Sequence, residues 1–227
     1  MVDGRRITDA ETLKVVTMVY GGLVNKNIVA GLQAKGIKVL MGNLGDHTGL
    51  GFANLTEAQA DQYIDDLMAY EGIVDGYDFD DEWAKYGEKG YPQANTTSYS
   101  MMINKLRSRT DKIISVFDFG NTYTLDATAI ANIDMAYYAD LGRYGSPNFN
   151  IPMSKYTPYL CDLTKNPATA LVKTYTTRAM NANAAGITFF NLRMEPSNGL
   201  SRFNAAAQAF GLTCSHSGKT YAKDYGN

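Results

Sequence analysis

The segment with the clearest chemical potential is an acidic run that follows a short apolar stretch, Val74-Asp75-Gly76-Tyr77-Asp78-Phe79-Asp80-Asp81-Glu82-Trp83. Side chains alternate between the two faces of a β-strand, so an extended chain places Asp78, Asp80 and Glu82 on one face. Successive members of this trio then lie roughly 6.5–7 Å apart along the strand. The aromatic and acidic residues between them take the opposite face.

Three carboxylates on one face repel one another, and this raises some of their pKa values and keeps a proton available near neutral pH. A general acid needs such a proton. A solvated acidic turn is disfavoured by the apolar residues Ile73 and Val74 and by the aromatic spacers. A calcium loop of the EF-hand type fails, because its sixth position counted from Asp78 is Trp83 rather than Gly. A magnesium site remains open, although no phosphate-binding glycines accompany it.

Apolar β-rich runs alternate with helix-like stretches along the whole chain, which predicts an α/β fold with a helix-covered parallel sheet. An open doubly wound sheet needs five or six strands and a closed (β/α)8 TIM barrel needs eight, typically in about 250 residues. No GxGxxG or P-loop follows the first run, which disfavours nucleotide binding. The seven predicted strands are 13–20, 37–44, 73–79, 112–117, 133–138, 156–160 and 185–191, and the predicted helices are 25–34, 56–70, 98–107, 127–131, 167–183 and 201–210.

Composition narrows the class of protein. A chain of 227 residues can form one sizeable core, so we expect a single domain over residues 1–227. A net charge of −2 argues against nucleic acid as a partner, and no apolar run is long enough to span a membrane. The 16 tyrosines suit sugar rings, which present apolar faces and polar edges, although core packing is the more common role of any single tyrosine. The two cysteines, Cys161 and Cys214, form no CxxC pair, and the sequence does not decide whether they form a single disulfide. The presence of only two histidines argues against a Ser-His-Asp hydrolase.

The acidic run resembles family 18 of the glycoside hydrolases. DGYDFDDE fits the DxxDxDxE signature of that family at Asp75, Asp78, Asp80 and Glu82, and DGYDFDDEW is similar to the strand of its endo-β-N-acetylglucosaminidases of the Endo H type. The resemblance runs over residues 36–225 and includes GIKVLMGNLGDHTGLGFANLT, DKIISVFDFG and TYAKDYGN. It implies a (β/α)8 barrel. Only LKVVTMVY stands where the family has two strands, so we expect a missing or rebuilt N-terminus.

The resemblance also implies a mechanism, substrate-assisted retention, which departs from the usual two-carboxylate scheme. Glu82 would act as acid and then as base, Asp80 would orient the 2-acetamido group of the substrate, and Asp78 would tune Asp80. No metal or organic cofactor is implied. The substrate would be the N,N′-diacetylchitobiose core of an N-linked glycan or glycoprotein. The expected protein is a monomer in an extracellular, periplasmic or cell-surface location.

The sixth strand departs from the family pattern, because a gapless alignment places Asp140 where family members have a tyrosine. The chitinase-type MxY pattern selects Tyr137, with Tyr138 beside it. A misplaced tyrosine would leave a glycan-binding barrel with weak or no turnover, and a chitinase-type hydrolase shares the same chemistry. The candidate substrate contacts are therefore Asp78, Tyr137, Tyr138, Asn191, His47 and Asp118.

Overall fold

The computed structural model describes residues 2–8, 13–19, 26–45, 47, 49–192 and 199–215, which form strands and helices joined by loops. These residues group into two compact units, the first reaching Asp134 and including Asn148–Asn150, the second holding the rest. The first unit contains β1 (Val2–Thr8), β2 (Leu13–Val19), α1 (Lys26–Gln33), β3 (Leu40–Leu44), α2 (Glu57–Met68), β4 (Gly76–Asp80), α3 (Ser98–Arg107), β5 (Ile113–Asp118) and α4 (Ala127–Asn132). The second contains β6 (Met135–Tyr138), β7 (Tyr156–Thr157), β8 (Leu160–Asp162), α5 (Thr169–Asn181), β9 (Thr188–Phe190) and α6 (Leu200–Ala209).

The front of the chain differs from the sequence-based prediction. The run predicted as the first strand of the parallel series is a strand, but β2 pairs antiparallel with β1, which the sequence did not predict. The physical reason is the length of the connection. A parallel crossover needs a dozen or more residues, and only residues 9–12 separate β1 from β2.

The first unit holds three adjacent parallel strands, β3, β4 and β5. Their register aligns Gly42, Asp78 and Ser115 in one row across the sheet. The helix α2 starts where the sequence predicted, because Thr56 and Gln59 form a reciprocal capping box with bonds of 2.8 and 3.3 Å. The bounds of α3 match the predicted 98–107.

Aromatic packing fixes which face of β4 is buried. Tyr77 and Phe79 are fully buried, and the Tyr77 hydroxyl donates to the Leu67 carbonyl oxygen at 3.1 Å. Phe52 contacts Phe79 edge-on at 5.3 Å and stacks on Tyr99 at 5.5 Å between ring centroids. The face of β4 that carries Asp78 and Asp80 is therefore the opposite one, as alternation requires.

The second unit contains two separate strand pairs, β6 with β7 and β8 with β9, both parallel. The predicted strand 156–160 is wrong as one element, because Pro158 lacks the N–H that would continue the ladder. Both cysteine thiols are free. One hydrophobic core cluster of this unit contains Tyr159, Cys161, Leu163, Val172, Ala205 and Ala206.

The α/β class with parallel strands is confirmed. The strand pairings among the described residues form parallel sheet segments and do not show a complete barrel. That the chain is a single domain stays a prediction. No helix in the described part of the chain is long and apolar enough to cross a membrane.

Arg107 fixes the connection from α3 into β5. Its guanidinium donates to the carbonyl oxygens of Asn132 at 2.8 Å, Lys112 at 3.0 Å and Thr110 at 3.2 Å. It also contacts the carboxylate of Asp134 at 2.5 Å. This contact set uses the planar fork of an arginine, which a lysine cannot reproduce.

We predict that Arg107→Lys lowers the free energy of unfolding by about 1–3 kcal/mol, because partly buried carbonyl oxygens lose their donors. Urea denaturation followed by circular dichroism measures the change. The matched control is Arg109→Lys, which alters an exposed ion pair with Asp65 and should cost less than about 0.5 kcal/mol. Equal losses in the two variants would contradict the anchoring role of Arg107.

Candidate active site

The carboxyl end of β4 presents the predicted trio. Asp78 and Asp80 are half-buried on the face opposite Phe79, and Glu82 follows just beyond the end of the strand. The Ser115 hydroxyl of β5 donates to the carboxylate of Asp78. Backbone alternation and strand pairing together bring the first two carboxylates to one face, as the sequence predicted.

Asp80 and Glu82 are directly linked, because the Glu82 backbone N–H donates to Asp80 Oδ1 at 3.0 Å. Burial, followed by the charge of Glu82, raises the pKa of Asp80 to about 8, with smaller contributions from Asp78 and Asp81. Burial also raises the pKa of Glu82, against a hydrogen bond from the Trp83 side chain that lowers it. The pair therefore retains a proton near neutral pH. The sequence argument invoked repulsion alone, whereas burial is the larger cause.

Asp81 is the carboxylate that sequence reasoning left without a role. It lies on the opposite face, is 4 % exposed, and accepts from the Asn121 backbone N–H and from Asn121 Nδ2, both at 2.9 Å. The Tyr86 hydroxyl donates to its other oxygen. Asp81 thus ties the end of β4 to the loop after β5. Alternation alone predicted its face, but nothing in the sequence identified these partners.

Glycines on the two neighbouring loops allow the chain after β4 to be approached closely. A Cβ atom on Gly45 would lie 2.2 Å from the Glu82 carbonyl oxygen, to which the Gly45 N–H donates at 3.1 Å. Gly120 has a φ of +65°, and a Cβ atom there would lie 2.6 Å from the Asp81 carbonyl oxygen. Any larger residue at either position would displace the backbone that carries the candidate acid.

The loop after β3 is joined to the loop after β4 by a buried asparagine. Asn54 is 2 % exposed, and its Nδ2 donates to the carbonyl oxygens of Gly49 and Pro92, both at 2.8 Å. Its Oδ1 accepts from the Gly51 N–H at 2.9 Å. Tyr86 adds a second link, because its hydroxyl accepts from the Ala53 N–H at 3.0 Å. The loops around the carboxylates are thus built as one hydrogen-bonded body.

Asp75, the first aspartate of the signature, lies outside the carboxylate trio. It lies directly before β4 and accepts from the Val39 N–H and from Gln33 Nε2, both at 3.0 Å. The Val39 hydrogen bond is the main reason that the pKa of Asp75 is lowered. Its role is to join the chain before β3 to the start of β4.

Two further predicted residues lie in the same unit. His47 is exposed in the loop after β3, and its ring lies 5.1 Å from that of Trp83. Asp118 is fully buried at the end of β5, where its carboxylate accepts from the Thr122 hydroxyl at 2.8 Å and from the Asn148 N–H at 2.9 Å. Their contact with substrate stays a prediction. In the described residues no group of three or more His, Cys, Asp or Glu side chains is placed to hold a metal ion.

Tyr137, Tyr138 and Asn191 lie in the second unit. The two tyrosines are neighbours on β6 and therefore point to opposite faces of the strand. The Tyr138 hydroxyl donates to the Asp140 carboxylate at 2.9 Å. Asn191 has a φ of +62°, and its side chain hydrogen-bonds Asp162. The roles of these three residues in substrate binding stay predictions.

The electrostatics of the trio predict that Glu82→Gln lowers the pKa of Asp80 from about 8, because it removes the neighbouring charge that raises this pKa most. The pKa should stay above the usual value of 3.8, because burial remains. Asp78→Asn should lower it less. Titration of carbon-13-labelled aspartate carboxyl groups by NMR measures both changes, and an unchanged Asp80 in Glu82→Gln would contradict the coupling.

The same raised pKa makes stability depend on pH. The folded chain holds the Asp80 proton more tightly than the unfolded chain, so the free energy of unfolding should fall as pH rises from about 4 to about 8. Asp80→Asn should flatten that slope, which urea denaturation at a series of pH values would detect.

Asp81→Ala should lower the free energy of unfolding by about 2–4 kcal/mol, because three donors lose a buried, charged acceptor. Asp111→Ala is the matched control, since Asp111 is exposed, and it should change stability by less than about 0.5 kcal/mol. Urea denaturation compares the two. A change in Asp81→Ala no larger than that of the control would refute the anchoring of the strand end.

Comparison with known proteins yields no matching family model. The chain is 34 % identical over 150 residues to an endo-β-N-acetylglucosaminidase of Flavobacterium sp. (strain SK1022), an alignment that covers 62 % of the chain and 48 % of the relative. It is also 88 % identical over 40 residues to the acetylglutamate kinase of Phocaeicola vulgatus, covering 18 % of the chain and 16 % of the kinase. The chain thus spans about a sixth of the kinase and about half of the glycosidase.

Solved structures with a similar fold include a chitinase from Rhizomucor miehei (TM-score 0.62, 12 % identity, 86 % of this chain and 89 % of the other). A family 18 chitinase from Flavobacterium johnsoniae has a TM-score of 0.56, 11 % identity and coverages of 84 % and 82 %. A chitinase-like agglutinin from Robinia pseudoacacia has a TM-score of 0.63, 12 % identity and coverages of 89 % and 90 %. The chain therefore shares the fold of family 18 chitinases and is related in sequence to a glycoside hydrolase.

Proposed function

We propose that this chain is an endo-β-N-acetylglucosaminidase of the family 18 type that hydrolyses the β-1,4 bond of the N,N′-diacetylchitobiose core of N-linked glycans. The observation that supports this most is the Asp80–Glu82 pair, with adjoining carboxyl groups of raised pKa at the end of a buried parallel strand. Strand ends of this kind hold the catalytic residues of TIM-barrel enzymes. The sequence relation to the Flavobacterium endo-β-N-acetylglucosaminidase supports the choice of reaction.

In the proposed mechanism the protonated Glu82 gives its proton to the glycosidic oxygen between the two sugars. The carbonyl oxygen of the substrate's own 2-acetamido group attacks the anomeric carbon as that bond breaks, and an oxazolinium-like intermediate forms. Asp80 orients the acetamide and stabilises its positive charge. The Glu82 carboxylate then takes a proton from a water molecule that attacks the anomeric carbon and breaks its bond to the acetamido oxygen. The two successive inversions at that carbon retain the anomeric configuration.

The neighbours of the pair support the division of roles. Asp78 lies one alternation further back in β4 and accepts a hydrogen bond from Ser115, which fixes it beside Asp80. Its negative charge raises the pKa of Asp80, although less than that of Glu82 does. Because Glu82 must be protonated to act as the acid, the rate should fall on the alkaline side of its raised pKa.

A second candidate function is glycan binding without turnover. The similarity in fold to the Robinia agglutinin favours it, as does the sixth strand, where a gapless alignment places Asp140 at the tyrosine position of the family. A third is hydrolysis of chitin-type oligosaccharides, in line with the chitinases of similar fold. A glycan substrate in any of these cases suits a location outside the cytoplasm.

The deciding measurement is mass spectrometry of ribonuclease B, a high-mannose glycoprotein, after incubation with wild-type protein or with Glu82→Gln. Wild type should leave a single N-acetylglucosamine on the asparagine. Glu82→Gln should cleave roughly 10²–10⁴-fold more slowly, because a general acid contributes about that much.

Chitotetraose is incubated in parallel. Its cleavage with ribonuclease B intact would favour the chitin-type function. Saturable glycan binding without cleavage of either substrate by folded wild type would favour the binding function. Equal rates for wild type and Glu82→Gln would refute Glu82 as the acid.

A further inference from the structure

Trp83, the single tryptophan of the chain, occupies an unusual position next to the candidate acid. Its side chain is 52 % exposed, directly after Glu82, and its φ is +62°. Bulky residues rarely adopt this left-handed conformation, which is strained and persists only when the surroundings impose it. An exposed indole held in this way needs an explanation beyond packing.

Backbone hydrogen bonds on both sides impose the conformation. The Glu82 carbonyl oxygen accepts from the Gly45 N–H, and the Trp83 carbonyl oxygen accepts from the His47 N–H, both at 3.1 Å. His47 is itself at a φ of +65°, and Lys89 Nζ donates to its carbonyl oxygen at 3.0 Å. Two consecutive loops thus hold two strained residues opposite each other.

The strain brings two aromatic rings together at the surface. The centroids of the His47 and Trp83 rings are 5.1 Å apart, with 45° between their planes. Both residues are exposed, so the pair presents ring surface to solvent rather than to the core. The Trp83 side chain also lowers the pKa of Glu82, which places the indole within reach of the candidate acid.

We propose that Trp83 and His47 form a stacking surface for an N-acetylglucosamine ring adjoining Glu82. The choice of this sugar rests on the proposed function. Such a ring offers apolar C–H faces to the indole and polar edges to water, so that stacking removes apolar surface from water while the hydroxyl groups stay solvated. The backbone strain is then the means by which the surface is fixed before the substrate arrives, which reduces the entropy lost on binding.

Binding of N,N′-diacetylchitobiose tests this directly, because Trp83 is the only indole fluorophore. Titration should change its emission saturably. Isothermal calorimetry on variants, each in the Glu82→Gln background to prevent turnover, measures affinity. Trp83→Phe should bind within about 3-fold of the Glu82→Gln parent, whereas Trp83→Ala should bind roughly 10-fold more weakly, the loss of about one aromatic contact. His47→Ala should weaken binding by about 3-fold.

Phe210→Ala is the control, since Phe210 is also an exposed aromatic, 47 % accessible in the second unit, and should leave affinity unchanged. Circular dichroism confirms that each variant is folded. Parent-like affinity in Trp83→Ala, or binding measured by calorimetry without any change in emission, would overturn the stacking surface. Cleavage of ribonuclease B by wild type beside such a result would leave the proposed function standing. Neither binding nor cleavage by folded wild type would overturn both.

Discussion

The burial of Asp80 is the constraint on which the rest of the site depends. A carboxyl group in partial contact with water and beside a second acid is unfavourable when ionised, so the fold must hold it there against its preference for solvent. Side chains with strongly shifted pKa values cluster at functional sites, where their protonation depends on the surrounding residues as well as on pH. The cost is offset by the buried aromatic face of the same strand, where Tyr77 and Phe79 are fully enclosed.

The loops that follow the strands supply what the strand itself cannot. Asp81 and Asn54 are both polar, both nearly inaccessible, and both fully engaged with neighbouring segments. Buried polar groups that are satisfied in this way specify one arrangement, since any displacement leaves donors or acceptors unpaired. The candidate acid therefore lies on an irregular segment whose conformation is fixed as firmly as that of a helix or a sheet.

Much of this was predictable from the sequence because it follows from local rules. Alternation assigned Asp78 and Asp80 to one face, and the capping pair Thr56 and Gln59 marked the start of α2. Contacts between residues distant in sequence were not predictable. Asp81 meets Asn121 forty positions away, and the left-handed backbone at Trp83 reflects hydrogen bonds from the loop after β3.

The errors have equally specific causes. The hairpin of β1 and β2 was not predicted. The composition of LKVVTMVY is typical of a strand but does not show whether that strand pairs parallel or antiparallel, which depends on the length of the connection. The single strand assigned to 156–160 ignored the missing donor of Pro158. Composition predicts that a segment is extended, whereas pairing depends on which neighbour can accept its hydrogen bonds.

The enclosure of Asn54 has a practical consequence for producing the protein. Asn54-Leu55-Thr56 is a glycosylation sequon, and in a eukaryotic secretory host an oligosaccharide would be attached before the chain has folded. A modified Asn54 could no longer occupy its buried position between the carbonyl oxygens of Gly49 and Pro92. Secretion from yeast or insect cells would thus interfere with folding of the chain, whereas a bacterial host without this modification avoids the problem.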